Sequence, residues 1–141
     1  MKLLHFVLFY ILYDITGAKA NMDAILNAMK QCNDKFPVSQ EEMEKLMHEV
    51  HDDVSDNFKC HIKCIMELEE TFENGTFVDE NFVKEVMEVP LLKDHQADIK
   101  TATDECKKQH GLNDCDTAYE IAMCIYGRLP EELATGLLSM L

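Results

Sequence analysis

The chain has 141 residues, 47% hydrophobic and 28% charged, with six cysteines and a formal net charge of −14. That charge repels phosphate backbones and anionic membrane surfaces, so nucleic acid is excluded as a partner class. The length suits one small domain, and no internal segment is long and apolar enough to cross a bilayer.

The first twenty residues, "MKLLHFVLFYILYDITGAKA", place Lys2 before an apolar run from Leu3 to Tyr13 and end on Ala18-Lys19-Ala20. This is the pattern of a secretory signal peptide, too short to span a membrane. The expected division is a signal peptide at 1–20 and one domain at 21–141. Removing 1–20 leaves 11 basic and 26 acidic residues, a net charge of −15. A secreted location follows, and the even cysteine count then reads as three disulfides and not as free thiols.

Helical periodicity dominates the remainder. "MDAILNAMKQCNDKF" puts Ile25, Met29 and Cys32 on one stripe, and Pro37 ends it. Ser39 with Glu42 forms a capping-box pattern opening "SQEEMEKLMHEVH". A third helix, roughly Val54 to Glu70, carries Phe58, Ile62, Ile65 and Met66. Asn74-Gly75 marks a turn. A fourth helix follows Asp79 and stops at Pro90. "KDHQADIKTATDECKKQH" reads as a fifth, ended by Gly111, and "NDCDTAYEIAMCIY" as a sixth, ended by Gly127. No strand-like alternation and no internal repeat is present. The tail, 129–141, carries a stripe of Leu133, Leu137, Leu138 and Leu141. The expected class is all-α: about six short helices, three disulfides and a C-terminal tail acting as lid or wall.

Cys60 and Cys64 lie one turn apart on one helix face, so each reaches a different neighbouring helix. Cys115 and Cys124 project from opposite sides of the sixth helix and also need separate partners. Spacing leaves the pairing open. Lying between the first two cysteines, His61 and Lys63 read as solvent-facing spacers.

The order Cys32, Cys60-x3-Cys64, Cys106, Cys115-x8-Cys124, with gaps of 27, 3, 41, 8 and 8 residues, resembles the signature of the insect odorant-binding proteins. The stretches "KCHIKC" and "CDTAYEIAMC" carry the same resemblance, which covers the whole of 21–141. It implies the pairing Cys32–Cys64, Cys60–Cys115 and Cys106–Cys124. It further implies an internal apolar cavity for small hydrophobic molecules, odorants or pheromones, carried through aqueous extracellular fluid to an olfactory receptor or sensory membrane. No cofactor, a monomer or weak homodimer, and a binding function with no enzymatic activity complete the expectation.

A hollow small domain is costly, because an unfilled cavity forfeits packing contacts. Three crosslinks offset this, though they suit a solid domain equally. The candidate cavity positions are Ile25, Met29, Ile62, Ile65, Met66, Phe82, Val86, Met87, Ile99, Ala118, Ile121, Ala122 and Ile125, with Leu137 and Leu138 from the tail. Taken singly, each is more often ordinary core, as most apolar helical positions are. Nine methionines suit ligands of varied shape, and Tyr119 or Tyr126 would supply a hydroxyl.

Other chemistry is sparse. His95, beside the "LLKDH" loop, is the candidate for pH-dependent release. His48 and His51 with Glu44 or Asp52 suggest a loose cation cluster, but a solvated helix face is the better reading, and no metal is expected. Asn74-Gly75-Thr76 is a glycosylation sequon as well as a turn. No catalytic constellation is present. Two rivals stand beside the olfactory carrier. One is the same fold working in saliva, venom or reproductive fluid. The other is a protein-binding signalling module with a filled core.

Overall fold

Helix α1 covers residues 23–35 and ends where Pro37 removes a donor. The structure, a computed structural model, describes residues 23–47 and 54–133. The expected signal peptide, the histidines His48 and His51 with Asp52, and the tail residues Leu137 and Leu138 lie outside the described residues.

Helix α2 (Gln40–Met47) opens on the capping box. The Ser39 hydroxyl accepts from the Glu42 amide at 3.2 Å, and the Glu42 carboxylate accepts from the Ser39 amide at 3.2 Å. The same carboxylate accepts from the Ser55 amide at 3.1 Å, tying α2 to the start of the next helix. The Ser55 side chain first, and the Ser39 and Ser55 amides after it, hold the Glu42 carboxyl below its ordinary pKa by hydrogen bonding.

Helix α3 (Asp56–Leu68) is capped by Ser55, whose side chain accepts from the Phe58 amide at 3.1 Å. It is shorter at both ends than its apolar stripe suggests. Its first turn starts at the Ser55 cap and not at Val54, and its last turn closes through Glu69 and Glu70, the latter at φ +56°. Strands β1 (Phe72–Glu73) and β2 (Thr76–Phe77) then pair antiparallel around Asn74 and Gly75, both at positive φ. That is the hairpin geometry Asn-Gly favours, and two-residue strands are too short to show alternation in sequence. Asn74 is exposed at the tip. A side chain on Gly75 would meet the Asp114 carboxylate at 2.9 Å as well as straining the turn.

Helix α4 (Asp79–Met87) follows, then a 3-10 turn (Pro90–His95) that passes straight into α5 (Gln96–Cys106). Pro90 thus ends one helix and opens the next element, a position its fixed φ suits. Helix α5 stops at Cys106, short of Gly111. Gly111 has a different role: a Cβ there would lie 2.2 Å from that of Asp116, so glycine lets the loop pass close under the next helix. Helix α6 (Asp114–Arg128) is capped by the Asn113 side chain, which accepts from the Asp116 amide at 3.0 Å. It runs through Gly127 and ends because Leu129, extended at ψ 146°, precedes Pro130.

The disulfides join Cys32 to Cys64, Cys60 to Cys115 and Cys106 to Cys124. Helix α3 is thereby tied to α1 and α6, and α6 to α3 and α5. Opposite sides of α6 serve different partners, as the nine-residue separation of its cysteines requires. The α3–α6 contact is the most extensive between elements. Around it lie two buried clusters. One holds Phe72, Ala102, Cys106, Ala118, Ile121 and Ile125. The other sets Phe58 edge-on to Tyr119, with ring centroids 6.1 Å apart. A third packs Leu92, Ile99 and Leu133 together, so the start of the tail folds back onto the 3-10 turn and α5.

His61 departs from its expected place. It is 5% exposed, and its Nδ1 lies 3.1 Å from the Phe36 carbonyl oxygen. The Cys32–Cys64 bridge draws the end of α1 over this face of α3, and the imidazole meets the carbonyl there. Lys63 is half-buried and pairs with Glu67 at 2.8 Å.

Candidate functional site

Helix α4 buries none of its residues fully. Its apolar positions Phe82 and Val86 face an open recess of about 310 Å³. The opposite walls come from the scaffold: Ile25 of α1, Ile65 and Met66 of α3, and Ala122, Ile125 and Tyr126 of α6. Thr71 and Phe77 of the hairpin region, with Val89, Leu92 and Leu129, complete the lining. Phe77 and Phe82 pack at 5.5 Å between ring centroids, joining hairpin and α4 into one apolar wall.

Hydrogen bonds fix this wall to the scaffold. The Thr71 amide and hydroxyl both donate to the Met66 carbonyl, at 2.8 and 3.1 Å. The Asn81 side chain donates to the Glu70 carbonyl at 2.8 Å, and Lys107 donates to Asp79 at 2.8 Å. Lys107 holds the Asp79 carboxyl below its ordinary pKa.

Among the residues expected at a cavity, the recess brings together Ile25, Ile65, Met66, Phe82, Val86, Ala122 and Ile125. It does not take in the others. Ala118 and Ile121 are buried in the core beneath it, Ile62 packs beside Phe58 and Tyr119, and Ile99 and Met87 belong to the Leu92 cluster. Met29 is half-buried on α1 and not among the lining residues. Of the two tyrosines, Tyr126 lines the recess and Tyr119 does not. His95 also lies outside it, with Nδ1 3.5 Å from an Asp98 carboxylate oxygen.

Thr71, Phe77, Val89, Leu92 and Leu129 also line the recess and are not among the expected positions, since they lie outside the α-helices whose apolar faces carry a periodic signal. Two ionisable residues, Glu69 and Glu85, both half-buried, line it as well. Burial first, and the charge of Glu85 second, raise the Glu69 carboxyl above its ordinary pKa. Nothing in a helical pattern distinguishes these glutamates from solvated ones.

Chemically the recess can hold an apolar group away from water. Among the described residues, no cluster of His, Cys, Asp or Glu is placed to hold a metal ion, and no helix is long and apolar enough to cross a membrane.

Residues 18–128 match the sequence profile of the PBP/GOBP family. No curated protein matches the chain significantly. Several solved structures do. An odorant binding protein of Locusta migratoria is 26% identical with a TM-score of 0.68, over 84% of this chain and 88% of that one. A fatty acid binding protein from the oral disk of the blowfly Phormia regina is 25% identical with a TM-score of 0.56, over 74% and 87%. Odorant binding protein 5 of Apis mellifera, at 24% identity and a TM-score of 0.66 over 82% and 93%, shares the fold. Family and fold are those of small-ligand carriers and not of enzymes.

Proposed function

This chain belongs to the PBP/GOBP family, and we propose that it is a secreted carrier that takes small hydrophobic molecules, odorants or pheromones, into the recess beside α4 and bears them through aqueous extracellular fluid to receptors. The observation that carries this is the recess itself, about 310 Å³ with almost entirely apolar walls. Burial of an apolar ligand there supplies the affinity, at roughly 25 cal/mol per Å² removed from water, less the cost of association. Tyr126 and Thr71 offer polar groups that orient it. Secretion, with the leader at 1–20 removed, is supported by the leader pattern and by the three disulfides.

A fluorescent naphthylamine probe tests the reading. Saturable binding, displaced by apolar ligands and weakened by Ala122→Phe, is expected. A probe that finds no site would overturn it in favour of a protein-binding module. The likeness to an oral-disk protein favours one second reading, the same carrier in a non-olfactory fluid. Expression in antennae against mouthparts separates the two.

A further inference from the structure

Of the asparagines in the chain, only Asn74 is followed two residues on by a serine or threonine, and the residue between is Gly75 and not proline. The hairpin accounts for Asn74 and Gly75, which take the positive φ values of its turn, +50° and +77°. It asks nothing of a hydroxyl at Thr76, which contributes its backbone to the pairing with Glu73. Asn74 and Thr76 are both exposed, while Phe72 behind them is buried and Phe77 lines the recess. Thr76 and Phe77 are successive strand residues and point to opposite faces, so the threonine of the sequon is turned away from the recess. Helix α6 approaches the turn at Gly75, through Asp114, and leaves Asn74 open to solvent.

We propose that Asn74 carries an N-linked glycan, added as the chain enters the secretory pathway. The proposal uses the secreted part of the carrier reading and is independent of what the recess binds. The co-reactant is an oligosaccharide held on a lipid pyrophosphate. The Asn74 amide nitrogen forms a bond to the anomeric carbon of the first sugar. The bond from that carbon to the pyrophosphate oxygen breaks, the pyrophosphate leaves with the electron pair, and the amide nitrogen gives up one proton. The Thr76 hydroxyl is the group by which the transferring enzyme recognises the acceptor. A sugar at this position needs no rearrangement of the hairpin, because the tip already projects into water. It places a bulky, solubilising cover on the half of the molecule that carries no disulfide.

The test expresses the full chain, leader included, in a secreting insect cell line and reads the medium by intact mass and peptide mapping. A mass increase that a peptide-N-glycosidase removes, mapped to the peptide holding Asn74, is expected. Thr76→Ala should abolish the increase, and Thr76→Ser should retain it, since serine keeps the hydroxyl. Secreted protein whose Asn74 is unmodified, or altered only by deamidation before Gly75, overturns the glycan and leaves the carrier reading standing. A chain that stays in the cytosol with its leader attached overturns both. A mass increase that survives Thr76→Ala overturns the assignment to Asn74. Should the variants fail to fold, the peptide map of the unaltered protein decides alone. Affinity for the naphthylamine probe should be the same before and after enzymatic removal of the sugar. A changed affinity overturns the placement of the glycan away from the recess.

Discussion

The two sides of this molecule are built on different terms. Helices α1, α3, α5 and α6 carry all six cysteines, and α3 and α6 bury Phe58, His61, Cys64, Thr117, Ala118, Tyr119, Ile121 and Ile125. The hairpin, α4 and the 3-10 turn carry no crosslink, and α4 buries no residue fully. What holds that second side is a few hydrogen bonds, the buried side chains of Phe72 and Leu92 that anchor it to the core, and the half-buried contacts of Phe77, Phe82 and Val86. The recess lies between the two sides, with α1, α3 and α6 of the crosslinked half forming one part of its lining and the hairpin, α4 and the 3-10 turn the other. A wall that adjusts to a ligand must cost little to move, and it can be mobile only if something else holds the fold.

That contrast can be attacked directly. Phe58→Ala, in the crosslinked half, should cost about 3–5 kcal/mol of unfolding free energy, because the surrounding structure is held and cannot collapse into the cavity. Urea denaturation measures it, and a loss under about 1 kcal/mol would show that side to be loosely packed. Paired substitution of Cys60 and Cys115 by serine should cost roughly 2–5 kcal/mol, since that bridge closes a separation of 55 residues. Hydrogen exchange at α3 and α6 should rise along with it. If exchange rises only at α4, the division drawn above is wrong.

Val86→Ala should behave in the opposite sense. Its stability cost is about 1 kcal/mol, because the side chain is only half-buried. Probe affinity should nevertheless fall about tenfold, since the side chain faces the recess. Equal effects of Val86→Ala and Phe58→Ala on stability would erase the difference between the halves.

The smallest effects come from titration. Lys107 lowers the Asp79 carboxyl below its ordinary value of 3.8, so its contribution is present above that pH and lost as acid protonates the folded form. Asp79→Asn should remove that acid sensitivity from α4 as read by hydrogen exchange. Glu69 has the reverse sign. Its folded pKa lies above the ordinary 4.5, so the folded state favours the protonated acid and stability declines as pH rises through that range. Glu69→Gln should therefore raise the unfolding midpoint slightly near neutral pH and leave it unchanged below about pH 4. A variant less stable than the parent at neutral pH would show the carboxylate to be favourably bonded there.

Much of the crosslinked half was legible without coordinates. The 3.6-residue period of apolar positions gave the helices, and Ser39 with Glu42 marked a helix start that the structure caps through both residues. Asn74-Gly75 marked the hairpin turn, though strands of two residues left no pattern of their own. Helical phase required each cysteine of the close pairs to take a separate partner. The pairing itself entered only through the family resemblance, since spacing permits others.

The sequence by itself determined the helical class, the acidity and the cysteine framework, because each follows from local spacing or composition. Only the tertiary structure decided which apolar residues face open space. Ile121 and Ile125 lie on one helix at similar spacing, yet Ile125 reaches the recess and Ile121 is sealed beneath it. Local periodicity states which side of a helix is apolar, and what covers that side is set by contacts from distant parts of the chain. His61 is buried because a bridge from α1 covers it, and Glu69 and Glu85 border an apolar recess because the ends of α3 and α4 are folded around it.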